Sequence, residues 1–144
     1  LLYGLPATSI QRLQRVQTTS ARVITRKRKY DHITPILKSL HWLPVTYRCQ
    51  YKLLVYVFKA LHEEAPVYLQ ELVKIYKPME HALRSENSMI LTTPRVRTKT
   101  YGDRRFDKAA AVLWNDLPSD LRNIHCVNVF KKNLKTHLFR HAFN

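Results

Sequence analysis

Apolar residues dominate one long stretch of this chain, His41 to His62, HWLPVTYRCQYKLLVYVFKALH. Within it Tyr47, Tyr51, Leu54, Phe58 and Leu61 recur at three- and four-residue spacing, which is one face of an α-helix. Cys49, Leu53, Tyr56, Val57 and Ala60 fill much of the remaining circumference, and only Arg48, Gln50, Lys52 and Lys59 are strongly polar. A helix apolar on most sides must be covered on most sides. Pro44 suits its first helical position, and no Pro or Gly follows until Pro66. A membrane span needs about 18 or more apolar residues with few charges. Lys52 and Lys59 bracket the unbroken apolar run Leu53 to Phe58, only six residues long. The pattern therefore predicts a central buried helix over about 44–63.

The same reading predicts further helices separated by prolines. Thr8 or Ser9 caps a helix from Ile10 to about Lys29, with an apolar stripe of Ile10, Leu13, Val16, Ala21 and Ile24. Asp31 or Thr34 caps a short piece whose Ile36, Leu37 and Leu40 face inward. Ala65-Pro66 ends the central helix and opens another over Val67 to Ile75. Tyr76 to Asn87 is polar and expected at the surface. Ser88 to Thr93 alternates as a short strand, and Arg95 to Tyr101, RVRTKTY, alternates basic and neutral residues over a β-compatible run. Phe106 to Leu117 is a helix rich in Ala, stopped by Pro118. Asn128 caps a last helix, Val129 to Phe143, with Phe130, Leu134 and Leu138 on its core face.

With 144 residues and 45% hydrophobic content the chain can bury a real core. Two Gly against seven Pro fit helices with proline stops better than a strand-rich fold. The expected fold is mainly α, a compact multi-helix bundle around the central helix, with a short β-hairpin or extended arm near 88–101. Trp42, Leu54, Phe58, Leu61, Leu113 and Trp114 are its core candidates. Residues 1–30 would form a basic helical end, and 31–144 the helical body that carries a basic arm at 94–105.

Charge adds more than composition does. Net charge is +15. Residues 1–44 carry eight Lys/Arg against one acid, residues 45–90 six against five, and residues 91–144 eleven against four. Two basic ends around a near-neutral middle point to an extended anionic partner, nucleic acid before membrane surface. No basic amphipathic helix carries the apolar face that interfacial binding needs. Cys49 and Cys126 make no disulfide framework and fit a reducing compartment. The start, LLYGLPATSI, has no basic n-region, no small-residue cleavage site and no initiator Met. It reads as a piece of something longer.

The candidate binding residues follow from that charge. Arg12, Arg15, Arg22 and Arg26 lie largely off the first helix's apolar stripe, and Lys27, Arg28 and Lys29 crowd its end, where cations suit the helix dipole. In an extended segment alternate side chains point the same way, so Arg95, Arg97, Lys99 and Tyr101 would form one row, with Arg104 and Arg105 close behind. The cations would take phosphates, and Tyr101 would stack on a base or sugar. A charged edge strand that blocks edge pairing is the plainer reading. Lys131, Lys132, Lys135 and Arg140 occupy the outer side of the last helix.

Other chemistries are poorly supplied. His137 and His141 are four apart on a helix, with His125 and Cys126 upstream, but the second ligand pair of a zinc site is missing and the neighbours are basic. Asp103 with Asp107 and Asp116 with Asp120 each flank a helix boundary, where Asp is a common cap. No Gly-rich phosphate loop, GxSxG elbow or paired polymerase aspartates occur. The sequence thus predicts no catalytic residue, no metal and no cofactor.

Whole phrases are also familiar. LLYGLPATSIQRLQRVQ, YDHITPILKSLHWLPVTYR, YKLLVYVFKALHEEAPVYLQELV, PRVRTKTYGDRRFDKAAAVLWNDLPSDLR and FKKNLKTHLFRHAF follow in order. Over essentially the whole chain they resemble the C-terminal region of non-LTR retrotransposon (long interspersed element) reverse transcriptases of the chicken-repeat and related clades. The resemblance implies thumb and post-thumb helices that follow a palm holding the catalytic aspartates. It implies a non-catalytic segment that contacts template RNA or the primer–template duplex and the upstream polymerase domain, within the cell and in the nucleus. Arg12, Arg15, Arg22, Arg95, Arg97, Arg104 and Arg105 match basic positions of those phrases. Two places depart from them. Glu63-Glu64 stand where the family usually has small or apolar residues including Gly, and Asp107-Lys108 replace what is usually Ser-Val. The rival readings are a helical protein-interaction scaffold with an acidic partner, an inactive fragment of a decayed element, and a metal-dependent nuclease remnant. No membrane and no small-molecule substrate is expected.

Overall fold

The computed structural model describes residues 2–76 and 89–144. Eight helical segments occur among them: α1 (Ala7–Thr25), α2 (Ile33–Ser39), α3 (Val45–Leu61), α4 (Val67–Gln70), α5 (Lys99–Gly102), α6 (Phe106–Asn115), α7 (Ser119–Arg122) and α8 (Val127–Phe143). The protein is mainly α, and α3 is its axis: α1, α4, α6 and α8 all pack against it. Leu53, Leu54, Val57, Phe58 and Ala60 of α3 are buried. The Phe58 ring is stacked on His62, with centroids 4.0 Å apart, and on Phe130 of α8 at 4.3 Å. Trp114 of α6 is fully buried, 5.8 Å from Phe130. Leu134 and Leu138 complete the seam between α8 and α3, as their spacing predicts. Leu61 and Leu113 are half-buried against this cluster, whereas Trp42, expected in the same core, is half-buried against a second one built on Ala21, Ile36 and Leu37.

Two backbone devices delimit these helices. Pro6, Pro44, Pro66 and Pro118 each stand as the N-cap residue, at φ −53 to −56° and ψ 145–152°. Pro44 therefore sits one position before the expected one, and Val45 is the first helical residue. Proline's fixed φ suits the extended cap conformation, and its missing N–H leaves one donor fewer to satisfy. The C-terminal ends of α1, α2 and α3 use a left-handed residue that is not glycine. Arg26 (φ 53°), His41 (φ 53°) and Glu63 (φ 59°) each turn the chain so that the next N–H closes on a helical carbonyl. These bonds are Lys27 to Arg22 at 3.0 Å, Trp42 to Leu37 at 2.9 Å and Glu64 to Lys59 at 2.8 Å.

Several expectations need correction. α1 stops at Thr25, before the Lys27-Arg28-Lys29 run, because Arg26 adopts the left-handed conformation. Only part of its apolar stripe packs: Ala21 is buried and Ile10 half-buried. Val16 is 66% and Ile24 60% exposed, whereas Gln17 is buried with Ala21. The Gln17 amide is tolerated there because both ends are bonded: Nε2–H donates to the Leu43 carbonyl at 2.8 Å, and Oε1 accepts from Gln14 at 3.0 Å. Gln14 in turn accepts the Val45 N–H at 2.9 Å, so α1 satisfies a donor at the start of α3. The helix expected over Val67 to Ile75 is the single turn α4, since the chain must straighten for Ile75 to pair with Leu91. That antiparallel bridge stands where a strand or hairpin was expected, and no strand forms among the described residues. His32 and Cys126, not the expected residues, occupy the N-cap positions of α2 and α8. The polar stretch from residue 77 to 88 lies outside the described residues.

Candidate nucleic-acid interface

At the N-terminal end, Arg12, Arg15, Arg26, Lys27, Arg28 and Lys29 are exposed. Arg15 and Arg22 border one shallow hollow on α1, lined otherwise by Gln11, Gln14, Thr18 and Thr19. Arg22 is partly committed to structure, because its Nη2–H donates to the Asp31 carbonyl at 3.1 Å. The Asp31 carboxylate accepts the Arg28 N–H at 2.8 Å, which tightens the turn between α1 and α2.

The arm is less extended than expected. Arg95 and Arg97 are exposed on an irregular segment. Beyond Thr98 the backbone curls into α5 instead of staying extended, so Tyr101 does not continue their row. Thr98 causes this: its side-chain oxygen and its carbonyl both accept the Gly102 N–H at 3.1 Å. Gly102 lies so close to Val96 that a Cβ there would meet the valine at 2.8 Å. Tyr101 remains 77% exposed. Arg104 is drawn toward the opposite end of the chain. A Cβ on Gly4, whose φ is +75°, would lie 2.5 Å from Arg104 Cγ, so only glycine fits at that crossing. Burial, and secondarily the Asp103 charge, push the nearby Tyr3 phenol up. Arg105 is spoken for by Asp107, with Nη2 and Oδ2 2.6 Å apart. Among the described residues this is the single ion pair.

The structure adds a site that charge totals along the chain hide. Arg48 and Lys52, one turn apart on α3, meet Lys135 of α8 around a cavity of about 710 Å³. His41, Trp42 and Tyr51 supply its aromatic walls, and no carboxylate lines it. Burial pushes the Tyr51 phenol up, so it stays a neutral hydrogen-bonding group. Lys135 was a candidate from sequence, whereas Arg48 and Lys52 belonged to the near-neutral middle. Their four-residue spacing on a helix was the available signal. Lys131 and Lys132 lie about one turn earlier on α8, half-buried and exposed respectively.

A second cavity of about 710 Å³ runs between α1 and α3. Leu13, Val16, Trp42, Val45, Cys49 and Leu53 make it largely apolar, and Arg48 and Lys52 reach it too. Burial pushes the Cys49 thiol up despite the opposing Arg48 charge.

Metal chemistry finds no matching geometry. The His137 and His141 rings are 4.5 Å apart, but no group of three His, Cys, Asp or Glu side chains placed to hold an ion occurs among the described residues. Burial and the neighbouring His141 push the His137 imidazole down, outweighing the attraction of Asp116. Asp103 and Asp116 stand at helix C-termini, while Asp107 and Asp120 stand in first turns. No helix among the described residues is long and apolar enough to cross a membrane. Comparison with protein-family models, curated proteins and solved structures gives no match.

Proposed function

We propose that this chain is a non-catalytic nucleic-acid-binding segment, the C-terminal end of a non-LTR retrotransposon reverse transcriptase, which holds template RNA or the primer–template duplex for an upstream polymerase domain. One observation carries the binding half of this reading: Arg48, Lys52 and Lys135 converge with Trp42 and Tyr51 on one cavity that no carboxylate lines. Three cations held together without counter-charges repel each other, and an anionic strand relieves that repulsion. The aromatic walls suit bases or sugars. The parentage half rests on the phrases running from LLYGLP to FRHAF. A reading frame immediately upstream that encodes a palm with paired aspartates would support it.

The test of binding is a salt titration with labelled RNA and an RNA–DNA hybrid. If about six phosphates are neutralised, affinity falls by about 10³ between 50 and 200 mM salt. Absence of binding at low salt rejects the reading for this chain. A protein-interaction scaffold is the alternative, and the exposed Val16, Val23 and Ile24 of α1 favour it. In that case an acidic protein partner would bind and RNA would not displace it.

A further inference from the structure

The two cavities are neighbours. Trp42, Arg48 and Lys52 line both, so the cation pair forms the ridge where the apolar trough between α1 and α3 meets the basic groove between α3 and α8. The two sides offer opposite chemistry. Groove and ridge present Arg48, Lys52 and Lys135 without a carboxylate. The trough presents Leu13, Val16, Val45 and Leu53. Of its polar side chains, Gln17 bonds the Leu43 carbonyl and Gln14, and the Ser20 hydroxyl donates to the Val16 carbonyl at 3.0 Å, while Tyr3 and Cys49 also line it. The apolar walls give contact to a flat ring.

We infer that this junction seats an unpaired stretch of the RNA strand, with one base in the trough and its flanking phosphates on Arg48, Lys52 and Lys135. The inference rests on the nucleic-acid reading above and narrows it to one strand form. A cavity of about 710 Å³ matches the size range of pockets that take small organic ligands, and a nucleotide is of that scale. A paired base cannot enter such a pocket without leaving its stack. Trp42, shared by both cavities, stands where a base stepping from groove to trough would stack.

Cys49 reports on occupancy, since it lines the trough and not the groove. In the 144-residue chain with Cys126→Ser, Cys49 is the remaining thiol. Its alkylation rate is measured with an oligouridylate of about eight nucleotides, within the usual site sizes for unpaired strands, and with an RNA–DNA hybrid of equal length. The oligouridylate should slow alkylation about tenfold or more and bind at least about tenfold tighter than the hybrid. Arg48→Ala with Lys52→Ala should abolish the protection, and Arg48→Lys should keep it. If the oligouridylate binds while Cys49 reacts at its free rate, or if the hybrid protects equally, the inference is wrong and the broader reading survives. If neither nucleic acid binds, both fall together.

Discussion

Asn115 of α6 meets the backbone of Leu91 twice: its Nδ2–H donates to the Leu91 carbonyl at 2.9 Å, and its Oδ1 accepts the Leu91 N–H at 2.8 Å. On the other side of the same segment, Tyr76 N–H bonds the Ile90 carbonyl and Thr92 N–H bonds the Lys74 carbonyl, both at 2.8 Å. A side-chain amide thus takes the place of a neighbouring strand. Peptide groups of an extended chain point alternately to opposite sides, so Leu91 needs that second partner. The Trp114 indole N–H adds a third tie by donating to the Met89 carbonyl at 2.7 Å.

Asn115→Ala should therefore destabilise the protein by about 1–3 kcal/mol, since it leaves the peptide groups of a buried residue unpaired. Chemical denaturation measures this. Asn115→Asp should also destabilise, because a carboxylate accepts from the Leu91 N–H but cannot donate to its carbonyl. A loss under a few tenths of a kcal/mol in both variants would show that water replaces the amide.

Phe58→Ala should cost about 3–5 kcal/mol, because the ring is wholly enclosed and stacked on both His62 and Phe130. The loss is large against a domain stability of about 5–15 kcal/mol. Denaturant midpoints of the two proteins give the comparison, and an unchanged midpoint contradicts this core.

The central helix was legible because apolar residues cover most of its circumference and Pro44 marks its start. The α8 seam was legible from Phe130, Leu134 and Leu138. The α1 face was not, since Gln17 reads as polar at any position and becomes buried only through partners at residues 14 and 43. The basic groove was missed for a related reason. Charge counted along the chain averages Arg48 and Lys52 against Glu63 and Glu64, whereas folding sets them beside Lys135 from a distant helix. The arm's row failed at Thr98, where one hydroxyl captures a backbone N–H and starts a turn.

Glu63→Gly should stabilise the chain by about 0.5–1 kcal/mol. Glu63 holds φ 59°, a conformation that penalises side chains with a Cβ and suits glycine. Glycine's larger unfolded-state entropy removes part of that gain. Thermal unfolding at two pH values separates backbone relief from loss of the carboxylate charge. A lowered midpoint at both would mean that Glu63 makes a contact worth more than its strain.

The two thiols should differ in reactivity. Cys126 is exposed ahead of α8, where the backbone N–H groups of Val129 and Asn128 favour the thiolate and lower its pKa. Burial raises that of Cys49. At neutral pH a larger fraction of Cys126 is thiolate, so alkylation followed by mass spectrometry should label it first. The preference should shrink as pH rises and Cys49 ionises. Equal rates at neutral pH would contradict both environments.

The groove and the arm make separable electrostatic predictions. Arg48, Lys52 and Lys135 converge on one cavity, whereas Arg95 and Arg97 stand on an irregular exposed segment. In salt titrations of RNA binding, each phosphate contact removed should lower the slope of log affinity against log salt by about one. Replacing the groove trio by Ala should flatten the slope by about three and weaken every sequence alike, since phosphate contacts position without reading. Replacing Arg95, Arg97 and Lys99 by Ala should flatten it less, because the curl after Thr98 breaks their alignment. Tyr101→Ala should cost about 1–3 kcal/mol of binding with the slope nearly unchanged if a base stacks on that exposed ring. An arm variant with wild-type affinity and slope would confine the interface to the helical body. A groove variant with both unchanged would remove α3 and α8 from it, leaving the basic end of α1 as the remaining candidate.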